Sequence, residues 1–413
     1  MKRNRVVITG MGILAPNGIG IEAFWKSILE GRSGIGPITL FDANEFKSRI
    51  AGEVKGFDPD DYIEPELKPK RMARHTQLAY AATMMALRDA KLDPDHLDLP
   101  GPVPVVIGIS TSAIDVIESV YNALQEKGPN RVPTTSSAAS IPQAAANTIA
   151  DRIGVIAHAA TVSSACPSGL DALADAAWLI RSGAAEIAIA GGADAPITPL
   201  TMASFIASGL SSTRNDDPEK ASRPFDLERD SGVISEGAGV FVLENLERAE
   251  ARNATIYLEV SGYGKQRDLD LTRPGSGLEE SMKIALANAC RSENDIDYIS
   301  AYGPSHPVLD IVEVQSIKGV FGERAYLVPV SSIKGVTGNP LAAGGPFQVA
   351  ACALAFRDQL APPTANYEVS DPECDLDFVP KRPRKTKLDC ALVNVRGIGG
   401  SASSLVLNRV TAQ

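Results

Sequence analysis

Paired cysteines, long apolar runs and a surplus of positive charge are all missing from this sequence. The five cysteines, Cys166, Cys290, Cys352, Cys374 and Cys390, are scattered with no Cys-x-x-Cys spacing. That excludes a disulfide frame or a cysteine zinc site and fits reduced thiols in a cytoplasmic protein. No apolar stretch reaches the ~20 residues a membrane helix needs. The opening Met-Lys-Arg-Asn-Arg run is followed by a short apolar segment that stops at glycines. It reads as a first strand rather than a signal peptide. Lys and Arg number 40 against 50 Asp and Glu, a formal net charge of −10. This argues against general nucleic-acid binding. No phosphate-loop pattern and no metal-ligand cluster stand out.

What is present is an ordinary globular composition, 44% hydrophobic and 22% charged, over 413 residues. That length exceeds a single core and predicts two large units. The chain alternates strand and helix patterns. Val6 to Thr9 reads as a buried strand that ends at Gly10-Met-Gly12, and Ile21 to Leu29 as a helix closed by Gly31. Thr76 to Ala90 has amphipathic helical spacing, and Val103 to Ile109 is a continuous apolar run suited to a parallel sheet. Ile141 to Ile153 reads as a helix, Val155 to Val162 as a strand, and Ala185 to Ala190 as a strand stopped by Gly191-Gly192. Residues 196–222 look like loop and short helix, and Val240 to Leu243 a strand. Ile256 to Gly264 then repeats the opening pattern of strand and Gly-x-Gly. Helix–strand alternation resumes through Glu279 to Ala289, Ile296 to Tyr302, Ile311 to Phe321, Tyr326 to Val330 and the helix Gly345 to Arg357. Leu392 to Val395 and Ser404 to Leu407 close the chain around Gly397-Ile-Gly-Gly400. The fold class is α/β, layered, and the echo predicts duplication into residues 1–253 and 254–413.

One stretch carries the chemistry, Val162-Ser-Ser-Ala-Cys-Pro-Ser-Gly-Leu170. A strand runs into Cys166, Pro167 follows, and a helical pattern continues through Leu170, Leu173, Ala177 and Ile180. Pro suits the first helical position. Cys166 is therefore expected at a helix mouth, where free N–H groups and the dipole favour a thiolate and lower the thiol pKa. A second feature is the basic run Lys68, Lys70, Arg71 and Arg74, which reads as either a solvated face or a docking patch for an acidic partner. His75, His96 and His158 read as structural or surface residues.

These landmarks together resemble the elongating type II β-ketoacyl-acyl-carrier-protein synthases. The anchors are Val7-Ile-Thr-Gly-Met-Gly12, Ser164-Ala-Cys-Pro-Ser-Gly169, Ala190-Gly-Gly-Ala193, Arg223-Pro-Phe-Asp226, Glu236-Gly-Ala-Gly239, Val330-Ser-Ser-Ile-Lys-Gly335 and Cys374-Asp-Leu-Asp-Phe-Val-Pro380. The resemblance covers nearly the whole chain. It implies the thiolase fold, two pseudo-symmetric halves in an αβαβα arrangement. It also implies a homodimer, or a heterodimer with an active synthase, and substrates carried on the phosphopantetheine of acyl carrier protein, with no other cofactor. The implied reaction is a decarboxylative Claisen condensation through an acyl-Cys166 thioester.

The same resemblance shows where this chain departs. The first catalytic His of the family opens a His-Gly-Thr-x-Thr segment, which here reads Tyr302-Gly-Pro-Ser-His306. The second lies in Thr-Gly-His, here Thr337-Gly-Asn339. The family Lys is kept as Lys334, but its Glu partner is Gln348. The gating Phe is Ile398, which implies an altered gate. The expected catalytic set is Cys166, Tyr302, Asn339 and Lys334, and Ser305, His306, Thr337 and Ile398 are expected to bind substrate. His306 is a candidate to replace the lost imidazole. Lys68, Lys70, Arg71 and Arg74 lie where the family presents positive charge to its carrier. The implied function is condensation in a specialised fatty-acid or polyketide pathway. The alternatives are a non-condensing acyltransferase and a non-catalytic chain-length-factor-like subunit.

Overall fold

The computed structural model describes residues 4–93, 101–154, 157–270 and 274–410. His96 and Val155 lie outside the described residues. The main elements of the first part are β1 (Val6–Ala15), α1 (Ile21–Glu30), α2 (Arg74–Asp89), β2 (Val103–Gly108), α3 (Ile114–Lys127), α4 (Ala144–Ile153), β3 (Ala157–Val162), α5 (Ser168–Arg181), β4 (Ile187–Asp194), α6 (Pro199–Ala207) and β5 (Gly237–Asn245). Those of the second are β6 (Leu258–Arg267), α7 (Ser276–Ala289), β7 (Tyr298–Ser300), α8 (Leu309–Phe321), β8 (Val330–Ser331), α9 (Gly344–Asp358), β9 (Cys390–Arg396) and β10 (Ser401–Asn408).

The strands lie in the order β8-β7-β9-β10-β6-β1-β5-β4-β2-β3. Outward from the centre, each side has the same plan. β1/β5, β5/β4, β6/β10 and β10/β9 are antiparallel, whereas β4/β2, β2/β3, β9/β7 and β7/β8 are parallel. Within the sheet the two sides are joined where Val6–Ile8 of β1 pair with Leu258–Val260 of β6. Helix α2 packs on β1 and β5, and α7 packs on β6 and β10. α5 and α9 lie inside, each touching strands of both sides and one another. The layering is thus helix, sheet, helix, sheet, helix. α9 is buried along almost its whole length, so a run of Ala, Phe, Val and Leu without a polar face is what its position demands.

Several glycines read as strand stops are strand interiors. β1 runs through Gly10 and Gly12 to Ala15, and β4 through Gly191 and Gly192 to Asp194. A Cβ on Gly10 or Gly12 would lie 2.3 or 1.9 Å from the Ala86 or Ala82 carbonyl oxygen of α2. On Gly262 or Gly264 it would lie 2.2 or 2.0 Å from the Ala285 or Ser281 carbonyl of α7. These glycines let a helix backbone seat directly on the sheet, at equivalent places in both halves. The stretch Tyr326 to Val330, expected as a strand, instead runs irregularly from the end of a 3₁₀ turn (Gly322–Tyr326) to the start of the two-residue β8. Among the described residues, no helix is long and apolar enough to cross a membrane.

Candidate active site

The turn from β3 into α5 places Cys166. Ala165 adopts a left-handed backbone, φ 63°, an unfavourable state for a residue with a Cβ. The Ser168 hydroxyl fixes it by donating to the Ala165 carbonyl at 2.5 Å and accepting from Ser164 N–H at 2.8 Å. Pro167 caps α5, which begins at Ser168, one residue later than the sequence pattern suggests. Asp171, buried in the first turn of α5, accepts from Ser164 Oγ (2.5 Å), Tyr263 Oη (2.9 Å), Lys265 Nζ (2.5 Å) and Ser403 Oγ (2.6 Å). Strands β6 and β10 of the second half therefore hold the helix that carries the cysteine of the first.

Cys166 is 3% exposed. Tyr302, two residues beyond β7, donates its hydroxyl to the Cys166 sulfur at 3.4 Å. Asn339 Nδ2 in turn reaches the Tyr302 oxygen at 3.5 Å, the long limit of a hydrogen bond. Backbone bonds to the Val233 carbonyl and from Ser235 N–H hold Asn339 against the first half. The Tyr302 and Gly303 N–H groups both donate to the Glu313 carboxylate, at 2.9 and 2.8 Å. The Lys334 ammonium sits 4.4 Å from the centroid of the Tyr302 ring, a cation–π contact.

Burial pushes the Cys166 thiol up, and the Tyr302 hydroxyl and the Lys334 charge pull it back without cancelling that effect. This corrects the expectation of a lowered thiol pKa, because removal from water outweighs the helix mouth. Burial and the adjacent sulfur raise the Tyr302 hydroxyl far above its ordinary value. Tyr302 is thus a permanent donor and not a base. Burial lowers Lys334 to about 8, against the pull of Glu313, Cys166 and Asp310. Among the described residues, Lys334 has no ion pair within 4.0 Å. The Gln348 amide spends its N–H groups on the Ser300, Ala301 and Asn394 carbonyls.

A cavity of about 310 Å³ opens onto the sulfur. Cys166, Tyr302, Asn339, His306 and Ile398 line it, with Phe205, Leu210 and Leu341 among its apolar walls. Ile398 is 62% exposed at its edge. Gly397 presses on the Cys166 turn, where a Cβ would come within 3.0 Å of Pro167 and Ala165. The His306 ring accepts at Nδ1 from Val308 and Leu309 N–H, at 3.1 and 3.3 Å. It caps the start of α8 and carries its proton on Nε2. Burial, with the charges of Arg229 and Arg396, lowers its pKa. With Nδ1 engaged by those two N–H groups, His306 presents a donor at Nε2.

Ser305 and Thr337 do not line the cavity, contrary to expectation. The Ser305 oxygen accepts from Arg223 N–H at 2.9 Å, and the Thr337 hydroxyl donates to the Gly338 carbonyl at 2.9 Å. Both are buried framework residues. Arg74 also departs from its expected role. Its guanidinium pairs with the fully buried Glu236 at 2.8 Å, a carboxylate that would otherwise be stranded, so it cannot face a partner as freely as the exposed Lys68, Lys70 and Arg71. His75 is buried and His158 exposed. Sequence reading missed Arg396, which lines the same cavity. The signal was an arginine ending the otherwise uncharged strand Cys390–Val395.

Residues 3–249 match the β-ketoacyl synthase N-terminal domain and residues 257–368 the C-terminal domain. The chain belongs to the β-ketoacyl synthase family. It is 40% identical to a 3-oxoacyl-[acyl-carrier-protein] synthase 2 of Coxiella burnetii, over 99% of this chain and 100% of that protein. It is likewise 40% identical to the tetracenomycin polyketide synthase ketoacyl synthase alpha subunit of Streptomyces glaucescens, over 98% and 97%. Among solved structures, the ishigamide ketosynthase/chain length factor superposes with a TM-score of 0.92 at 31% identity, covering 99% of this chain and 100% of that one. A type II polyketide acyl-carrier protein complex with its ketosynthase gives 0.90 at 33%, covering 99% and 100%. These neighbours are ketosynthases of the thiolase fold, which is the fold of this chain.

Proposed function

We propose that this β-ketoacyl synthase is a condensing enzyme acting on acyl groups carried by acyl carrier protein, in a specialised fatty-acid or polyketide pathway. The observation that carries it is the Tyr302 hydroxyl donating to the sulfur of Cys166 at the floor of the cavity. The thiolate attacks the carrier thioester carbonyl, and the pantetheine sulfur leaves as a thiol after taking up a proton. Malonyl-carrier protein then loses CO₂, and the C–C bonding pair becomes an enolate. That carbon attacks the acyl-Cys166 carbonyl, expelling the Cys166 thiolate. Negative charge develops on a thioester oxygen at each stage, so donors rather than bases are what the site must supply. In this reading Tyr302 and Asn339 are those donors, Lys334 adds positive charge behind the ring, and His306 and Ile398 line the entry.

A second reading, acyl transfer without condensation, draws on the same geometry, because Tyr302 stands as a donor to the sulfur and His306 Nδ1 is engaged by backbone N–H groups. A chain-length-factor-like role fits less well with a buried, hydrogen-bonded cysteine at the cavity floor. Residues 1–253 and 254–413 are the two thiolase-like halves in this account. The test is intact-protein mass spectrometry after incubation with acyl- and malonyl-carrier proteins, wild type beside Cys166→Ala. Acylation of wild type alone, with a β-keto product two carbons longer, supports condensation. Acylation without extension supports the transferase, and no acylation from any donor sinks both.

A further inference from the structure

Ser164, two residues before Cys166, is held at each of its three polar groups. Its N–H donates to Ser168 Oγ at 2.8 Å, its hydroxyl donates to Asp171 Oδ2 at 2.5 Å, and its carbonyl accepts from Ser401 Oγ at 3.2 Å. One bond fixes a hydroxyl, whereas three fix the whole residue. Ala165, next in the chain, needs that restraint, because a φ of 63° persists only where the surroundings over-determine it.

The restraints beyond α5 lead to one strand. Ser401 and Ser403 both belong to β10, and Ser403 acts through Asp171, which is 2% exposed. Asp171 Oδ1 accepts from Ser403 and Tyr263, and Oδ2 accepts from Ser164 and Lys265. Burial and the Asp171 charge raise the Tyr263 hydroxyl well above its ordinary value, so it remains a donor. Four donors around two oxygens call for a carboxylate, with each oxygen accepting twice. Strand β10 pairs with β9, and β9 pairs with β7, whose last residue stands two before Tyr302. The sulfur and the hydroxyl that meet at 3.4 Å are therefore both set by the same sheet. A displacement of about 1 Å is enough to cost a reacting group ~100-fold.

We propose that Asp171 is a positioning residue for Cys166: acting through Ser164, it holds the sulfur against the Tyr302 hydroxyl. The inference rests on the condensing-enzyme reading only in taking Cys166 as the nucleophile.

The test is alkylation of Cys166 by iodoacetamide at neutral pH, with peptide mapping so that the exposed Cys290 is counted separately. It needs the sulfur and its donor but no acyl chemistry, so it stands apart from whether the protein condenses anything. In the wild type, Tyr302→Phe should slow alkylation roughly tenfold, the loss of one hydrogen bond to the thiolate. In Asp171→Ala and Ser164→Ala backgrounds the same change should cost less than about twofold, because the contact it removes is gone. Asp171→Ala combined with Ser164→Ala should match the slower single variant. Asp171→Asn should keep much of the coupling. Its amide oxygen can face Ser164 and Lys265, while its N–H groups meet hydroxyls that can turn to accept. Should Asp171→Ala fail to fold, Ser164→Ala, which loses a single oxygen, and Asp171→Asn still decide. A Tyr302→Phe cost equal in every background would leave Asp171 a role in stability alone and overturn the proposal. So would full additivity of Asp171→Ala and Ser164→Ala, or a Tyr302→Phe change without effect in the wild type.

Discussion

At Cys166 the protein combines two opposed demands. A thiol out of water resists ionising, yet the proposed chemistry needs the thiolate. The Tyr302 hydroxyl and the Lys334 ammonium are the side-chain groups that oppose burial here. Tyr302→Phe removes the donor with little change in volume and should slow single-turnover acylation of Cys166 by roughly 10–100-fold. An unchanged rate would show that the contact is incidental. Lys334→Met makes a second prediction, in which stability and function move in opposite directions. Below pH 8 the ammonium is charged in both folded and unfolded chains, and its burial cost is present in full. Between about 8 and the ordinary 10.5 the folded protein releases the proton first, so stability rises with pH across that window. The variant should therefore be more stable at pH 7, by up to roughly 3 kcal/mol, with the gap closing toward pH 10.5. Its Cys166 should alkylate more slowly at neutral pH. Paired urea titrations at pH 7 and pH 10 read the first effect, and a less stable variant at pH 7 would refute it. Cys166 stood out from its own strand–Pro–helix setting, whereas Tyr302 and Asn339 entered only through the family motifs that their segments resemble. Ser305 and Thr337 misled because a hydroxyl in such a motif does not announce which way it turns, and the backbone took both.

At the scale of elements, periodicity carried most of what was readable. α1, α2, α5, α7 and α9 follow from apolar spacing, with boundaries displaced by up to three residues. Glycines inside β1 and β4 looked like stops because a sequence shows the missing side chain and not the helix that fills the space. The outer edge of β3 is the informative exception to good packing. β3 ends the sheet, and nearby Ile117, Tyr121 and Leu124 of α3 are exposed, as is Ile141. An unpaired edge beside an apolar face invites a partner. We propose that a second ketosynthase-type chain covers it. Tyr121→Asp combined with Ile141→Asp should shift the protein from dimer to monomer in sedimentation velocity at micromolar concentration. A wild type that is monomeric there would contradict this.

Across the whole molecule, the duplication was visible only as one faint echo, yet the strand order shows it throughout. The reason is physical. Equivalent positions need equivalent shapes rather than equivalent residues, so Gly10 and Gly12 reappear as Gly262 and Gly264 while most else has diverged. The proposed active site lies between the halves: Cys166 comes from one, Tyr302 and Asn339 from the other, and Asp171 ties them. Charge is also distributed at this scale. The protein is acidic, yet Lys68, Lys70 and Arg71 are exposed together, and we propose them as the docking face for an acidic carrier protein. Lys68→Glu with Arg71→Glu should weaken carrier binding at low salt by roughly tenfold or more, with the difference shrinking as salt screens the charges. Unchanged affinity at low salt would remove that face from the account.

The most direct test follows the carbon that condensation must release. Protein loaded with an acyl group on Cys166 is mixed with malonyl-carrier protein labelled at the free carboxylate, and labelled CO₂ is measured together with the β-keto product. The account predicts equal amounts of both, and no β-keto product from Cys166→Ala protein mixed with acyl- and malonyl-carrier proteins. A stable acyl-Cys166 adduct that releases no CO₂ and gains no carbon would contradict it.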